Sequence, residues 1–247
     1  MKLGEMNWPA IDELDKGSVV AVFPIASFEQ HGWHLPLLTD TIETTGIVDR
    51  LDARIGKRVV CLPTQWLGYS LHHMRFGGSL TATSQTHVNM IVETVDGLLE
   101  AGFERVLVLN GHGGNRADLR VAQQDLKKMH PQAQVWGASW WEVAAPQLDA
   151  IKEAGPTGSG HAGEMETSLM LTLRPDLVLT DRLHADGFRP ESQYQDRVTR
   201  FLRIDEESER GNVGDPTVAS AEKGERMLAA IVDSLIEVVD DILADRL

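Results

Sequence analysis

Only one cysteine occurs in the 247 residues, so no intrachain disulfide can form. Cys61 lies in the apolar run Val59-Val60-Cys61-Leu62, where a buried structural thiol is expected rather than a nucleophile. No apolar run approaches the roughly 20 residues of a membrane span. The first eight residues show no basic stretch followed by an apolar one, so neither a membrane helix nor a secretory leader is expected, and a cytoplasmic location is the default. Positive charge is scarce: 23 Lys and Arg stand against 37 Asp and Glu, for a formal net charge of -14. With no basic cluster as a local exception, this excludes a nucleic-acid backbone as the expected partner. Linkers, repeats and low-complexity stretches are missing too, which points to one domain over residues 1–247. The phosphate-binding strings G-x-G-x-x-G and G-x-x-x-x-G-K-[ST] are absent.

What is present is an ordinary globular balance, with 42% hydrophobic and 24% charged residues, in which short apolar runs alternate with helical periodicity. That alternation predicts an α/β fold with a mostly parallel sheet covered by helices. Strands are expected at 18–25, 58–63, 105–109 and 133–139. Helices are expected at 39–55, 84–101 and 115–130, from about 162 to just before Pro175, and at about 219–245. Residues 181–215 are charged and aperiodic, and read as a surface excursion serving as a lid or an oligomer contact.

The residues able to do chemistry follow predicted strands, the end of a parallel sheet where sites form. Glu29, His31, His34 and Asp40 fall within twelve positions. In extended backbone Glu29 and His31 point to one side, so each can hold a different divalent ion, while Asp40, opening the next helix, can bridge the two. Separately, Asp40 could be a helix cap, His31 a packed core residue and Glu29 a solvated one; jointly they favour a metal site. In Leu109-Asn-Gly-His-Gly-Gly-Asn115 a strand runs into a glycine turn and a helix. His112 at its centre suits a metal better than a phosphate does, and the only cation close by is Arg116. In Gly160-His-Ala-Gly-Glu-Met-Glu-Thr-Ser168, Glu164 and Glu166 sit where a helix dipole favours carboxylates, yet capping alone would not require His161. His161 is a candidate proton donor oriented by Glu164 or Glu166, and one of these glutamates is a candidate ligand of a second ion, Glu166 the preferred one. Trp140 and Trp141 are candidate pocket walls. His72 and His73 read as loop residues within reach of the site, and His34, His87, His130 and His184 as packing or surface residues.

Three strings, E-Q-H-G-x-H-L-P-L-x-T-D, N-G-H-G-G-N and H-A-G-E-x-E-T-S, together resemble the creatininase family. The resemblance implies a three-layer α/β/α fold, a homo-oligomer (hexamers occur in the family) and two divalent ions, zinc, manganese or iron. By position Glu29 and His112 would hold one ion and His31 the other, with Asp40 bridging and His161 near the reacting centre. The implied activity is hydrolysis of a non-peptide C–N bond in a small cyclic amide or formamide. True creatininases carry Tyr and Glu after the metal-binding histidine, where this chain has Gly113 and Gly114, so one carboxylate of the second ion is missing and Glu166, Glu164 or water must replace it. The N-G-H-G-G-N form is similar to other branches, including one whose members cleave C–C bonds of a cyclic diketone. Hydrolytic C–C cleavage is therefore the alternative reaction, and a metal-binding module without turnover is the alternative of another class.

Overall fold

The computed structural model describes residues 1–155, 160–187, 198 and 200–247. Four strands, β1 (Val20–Ile25), β2 (Val59–Cys61), β3 (Arg105–Asn110) and β4 (Gln134–Ser139), form one parallel sheet in the order β2-β1-β3-β4. The central pair is aligned from Ala21↔Val106 to Ile25↔Asn110, and every residue of β1 is buried. Such two-sided burial is why these strands read as continuous apolar runs rather than alternating ones.

Among the described residues the helices are, in chain order, α1 (Trp8–Asp12), α2 (Thr39–Ile55), α3 (Ser84–Glu100), α4 (Arg116–Met129), α5 (Trp140–Val143), α6 (Ala145–Asp149), α7 (Glu164–Leu173) and α8 (Ala221–Leu243). Val20, Val22, Leu107 and Leu109 pack on one face with Ile47 and Leu51 of α2 and Leu228, Ile231 and Leu235 of α8. Ala21, Phe23, Ile25, Val106 and Val108 face the other way, against Ile91 and Val95 of α3 and Leu119 and Leu126 of α4. The strand period of two thus feeds two cores, and the result is the expected three-layer α/β/α sandwich.

Most element ends agree with expectation to one or two residues, because local chemistry sets them. Thr83 and Ser220 cap α3 and α8 by accepting from the backbone N–H of Thr86 and Lys223 (3.2 Å each). The second strand is shorter than expected, since past the bond from Leu62 N–H to Val22 O (2.9 Å) the ladder meets Pro63, which has no N–H to donate. The expected surface excursion at 181–215 needs correction. Residues 188–197 and 199 lie outside the described residues, but Ile204, Asn212 and Val213 are buried. The backbone there is tied inward, with Val213 N donating to His161 O (2.7 Å) and the Gln30 side chain donating to Gly211 O (2.7 Å). No helix among the described residues is long and apolar enough to cross a membrane.

Candidate metal centre

The loop leaving β1 carries Glu29, Gln30 and His31. It reverses at Gly32, whose φ of 66° lies in the left-handed region that glycine tolerates, and returns to open α2 at Thr39-Asp40. The turn after β3 delivers His112, and the segment leading into α7 delivers His161 and, in its first turn, Glu166. All of them meet at the carboxyl edge of the sheet.

Asp40 is the centre of the cluster and is almost wholly buried. Its Oδ1 lies 2.8 Å from His31 Nε2, and its Oδ2 lies 3.0 Å from His112 Nδ1 and accepts from Ser27 Oγ (2.7 Å). Glu29 Oε1 is 3.2 Å from His112 Nδ1, 3.1 Å from His73 Nε2 and 3.8 Å from His161 Nδ1, while its Oε2 is buried with no partner among the described residues. Glu166 Oε2 lies 4.0 Å from His31 Nε2 and is held by the backbone N–H of Ala162. Ala162, between His161 and Gly163, has φ 50°, a conformation that costs a non-glycine residue on the order of 1–2 kcal/mol.

Each imidazole is oriented through its other nitrogen. His31 Nδ1 donates to Glu29 O (3.0 Å), His112 Nε2 to Tyr69 O (3.1 Å) and His161 Nε2 to Gln30 O (2.7 Å). This turns His31 Nε2, His112 Nδ1 and His161 Nδ1 toward the carboxylates, as carbonyl partners do for metal-ligating histidines. The Gln30 side chain donates to His73 Nδ1 (2.9 Å), so that His73 can donate from Nε2 to Glu29.

Three groups of side chains bring ligand atoms within 4.8 Å of one another: Glu29 with Asp40 and His112, His31 with Asp40 and Glu166, and Glu29 with His31 and His161. The first two share only Asp40, so two cations could sit side by side with that carboxylate between them. The electrostatics fit cations as well. Burial lowers the pKa of His31, but Asp40 outweighs it and raises the group to about 9. Burial likewise lowers His112, and Glu29 and Asp40 raise it well above its ordinary value. Protons on the two imidazoles therefore stand in for cationic charge that the buried carboxylates demand, which a bound ion would replace. Burial, with opposition from His31, raises Glu166 to about 7, and burial with His31 nearby lowers His161 to about 3, leaving it neutral.

Glu29, His31, Asp40, His112, His161 and Glu166 thus converge. Glu164 does not: its oxygens accept from the backbone of Glu153 (2.8 Å) and Ala154 (2.7 Å) and pair with Lys223 Nζ (2.6 Å), and it does not line the cleft. Two residues along a helix is a rotation of about 200°, so Glu164 and Glu166 face nearly opposite ways. Trp140 is buried, has no partner for its indole N–H, and meets Trp141 edge-on at 5.4 Å; both border a cleft of about 380 Å³ together with Glu29, Asp40, His112 and His161.

Three residues join the site without a clear signal in the sequence. His73, taken above as a loop residue, is 1% exposed and bonded to Glu29, and Gln30 ties His73 to the His161 segment. Glu43, one turn below Asp40, is fully buried with neither oxygen partnered among the described residues, and burial together with Glu166 and Asp40 raises its pKa well above the ordinary value. His73 was within reach of the site by its loop position and Gln30 lies between two ligand candidates, whereas Glu43 carried no such signal.

The sandwich and the convergent histidines and carboxylates at its sheet edge define an α/β protein built around a candidate binuclear centre. The profile of the creatininase family, described as creatinine amidohydrolase, matches residues 4–239, and the chain belongs to that family of hydrolases. It is 32% identical over 242 residues to the mycofactocin precursor peptide peptidase of Mycobacterium ulcerans (strain Agy99), covering 95% of this chain and 90% of that protein. It is 26% identical over 260 residues to the 3-dehydro-scyllo-inosose hydrolase of Thermotoga maritima, covering 96% and 82%. Among solved structures, a mutant creatininase of the Zn-Zn type superposes with a TM-score of 0.84 at 25% identity, covering 97% of each chain.

Proposed function

We propose that the chain acts as one domain that hydrolyses an amide C–N bond at a centre for two divalent ions. The observation that carries this reading is the pair of ligand groups sharing only Asp40. Glu29, Asp40 and His112 would hold one ion, and His31, Asp40 and Glu166 the other, so Glu166 fills the place left by the glycines of the N-G-H-G-G-N turn. When bound, the ions supply Lewis acidity that polarises the scissile carbonyl and brings a water's pKa toward neutrality; zinc is the first candidate, given the Zn-Zn creatininase, with manganese and iron as alternatives.

The protein's own groups manage protons and position. His161, neutral because burial lowers its pKa to about 3, presents Nδ1 to the cleft while Nε2 donates to Gln30 O. Nδ1, 3.8 Å from Glu29 Oε1, is placed to pass a proton from the attacking water to the departing nitrogen, the Glu29 carboxylate offsetting the burial that otherwise disfavours the imidazolium. Its partner in orientation is the Gln30 backbone rather than Glu164 or Glu166. Trp140 and Trp141 wall the substrate side and limit water there.

The bond is not restricted to non-peptide amides, because the Mycobacterium ulcerans relative is a peptide peptidase by name. C–C cleavage of a cyclic diketone is the second reading, supported by the Thermotoga maritima relative. The test is metal analysis of protein purified without chelator, followed by a panel of amides, lactams, formamides and short peptides. About two ions per chain and release of an amine support amide hydrolysis. Under one ion per chain, unresponsive to added zinc or manganese, would refute it, and products without amine or ammonia would favour C–C cleavage. His161→Ala is expected to lower kcat by about 10²–10⁴ while metal content stays at wild-type level.

A further inference from the structure

We propose that the substrate bears a carboxylate on an arm that leaves the metal cleft over Gly113 and ends in a second cavity lined by arginines; this rests on the reading that amides are cut in the cleft. The second cavity, of about 700 Å³, shares His72, Gly113 and Arg116 with the cleft and is lined further by Arg120, Arg200 and Phe201. A ligand can pass between the two because the shared border is low. A Cβ on Gly113 would meet no heavy atom within 4 Å, whereas one on Gly114 would stand 2.1 Å from Tyr69 O. The side-chain-free position thus faces open space where the cavities meet.

Charge supplies the chemistry. In a chain of net charge -14, three guanidinium groups border one cavity. Arg116 and Arg120 lie four residues apart on α4, where like charges share a face and repel, in the first turns, where the helix dipole disfavours cations. Two unfavourable placements bordering one cavity fit a site for an anion. Arg116 is paired with Glu142, and Arg200 lies 3.5 Å from Glu206, but Arg120 has no ion pair among the described residues. Asp118 and Glu207 also line the cavity, and the oxygens of Asp118 are occupied by Ser84 Oγ (2.5 Å) and His87 Nδ1 (3.0 Å). Arg120, the one of the three guanidinium groups with no ion pair among the described residues, suits a monoanion, and the planar fork of arginine matches a carboxylate in two parallel hydrogen bonds. Phe201, 59% exposed and edge-on to His72 at 6.2 Å, offers the arm an apolar contact.

The test is calorimetric binding to the zinc-loaded protein of N-acetyl dipeptides and their C-terminal carboxamides, which differ only in the end charge. The carboxylate is expected to bind about tenfold more tightly. The preference should fall to about twofold or less in Arg120→Gln, which removes the anchor, and in Gly113→Leu, which fills the passage. It should persist in Arg54→Gln, which removes the same charge from the outer surface of α2, where Arg54 pairs with Asp233. Equal binding of the two probes by the wild type, or an undiminished preference in Arg120→Gln, overturns the proposal. Tighter binding of a phosphonate-ended analogue overturns the choice of a monoanion. Hydrolysis is followed separately with the same probes, so amide cleavage can fail while the anion site stands, and the reverse.

Discussion

Among the described residues two buried histidine–carboxylate clusters stand apart, and one of them has the character of a ligand site. At the start of α3 and α4, Asp118 accepts from Ser84 and pairs with His87, one carboxylate with one imidazole, and both carboxylate oxygens are satisfied. Around Asp40, the carboxylates of Glu29, Asp40 and Glu166 converge on shared imidazoles, Glu29 keeps an unpartnered oxygen, and Glu43 keeps two. That pair satisfies its carboxylate, and the one atom it leaves without a partner among the described residues is an imidazole nitrogen, His87 Nε2, not an anionic oxygen. An excess of buried carboxylate is different, because each such group costs several kcal/mol unless a counter-charge reaches it. The surplus of carboxylate oxygens, more than the presence of histidine, separates the proposed cation site from a structural pair.

Asp40→Asn would break the comparison most severely. Losing the shared carboxylate should lower bound metal below one ion per chain and activity by about 10³-fold or more, read by metal analysis and turnover. His73→Phe, which removes the donor to Glu29 and the acceptor of the Gln30 amide, should cost about 10–100-fold in metal affinity, measured by competition with a chelating dye; an unchanged affinity would deny His73 its supporting part. Asp118→Asn in the closed cluster should lower stability by about 1–3 kcal/mol in urea unfolding and leave metal content alone, whereas a loss of metal would make the two clusters one. The smallest effect is expected from Glu43→Met in metal-free protein, a gain of about 1 kcal/mol as unpartnered oxygens leave the core. Its sign with pH follows from the raised pKa of Glu43: the neutral carboxyl is tolerated below the ordinary 4.5, and stability is lost as pH rises through the folded-state value. The gain on substitution should therefore be larger at pH 8 than at pH 5.

Much of this arrangement was legible in the sequence. The limits of α2 matched because helical periodicity runs from Thr39 to Ile55 without interruption, and β1 and β3 were plain as apolar runs bounded by turns. Glu29, His31, Asp40 and His112 could be grouped because each follows a strand or opens a helix, so topology alone brings them to one edge. That reasoning could bring His73 within reach of the site but not give it a partner, and Glu43 was not accessible to it. His73 is placed by a loop with no periodic pattern, and Glu43 looks like an ordinary polar helix residue until α7 is packed against α2. The choice between Glu164 and Glu166 required knowing where Lys223 would lie, almost sixty residues further on.

That same Lys223 contact has a consequence for how the centre is completed. Beside it, Gly224 brings α8 against α7 so closely that an added Cβ would stand 1.9 Å from Ser168 O. On a nascent chain Glu29, His31, Asp40 and His112 all precede Glu166 by more than fifty residues. Glu166 comes much later, and the helix that fixes its rotation lies more than a hundred residues beyond His112. During synthesis the two halves of the centre are therefore separated in time, one nearly able to capture an ion while the other still waits for α8 to dock.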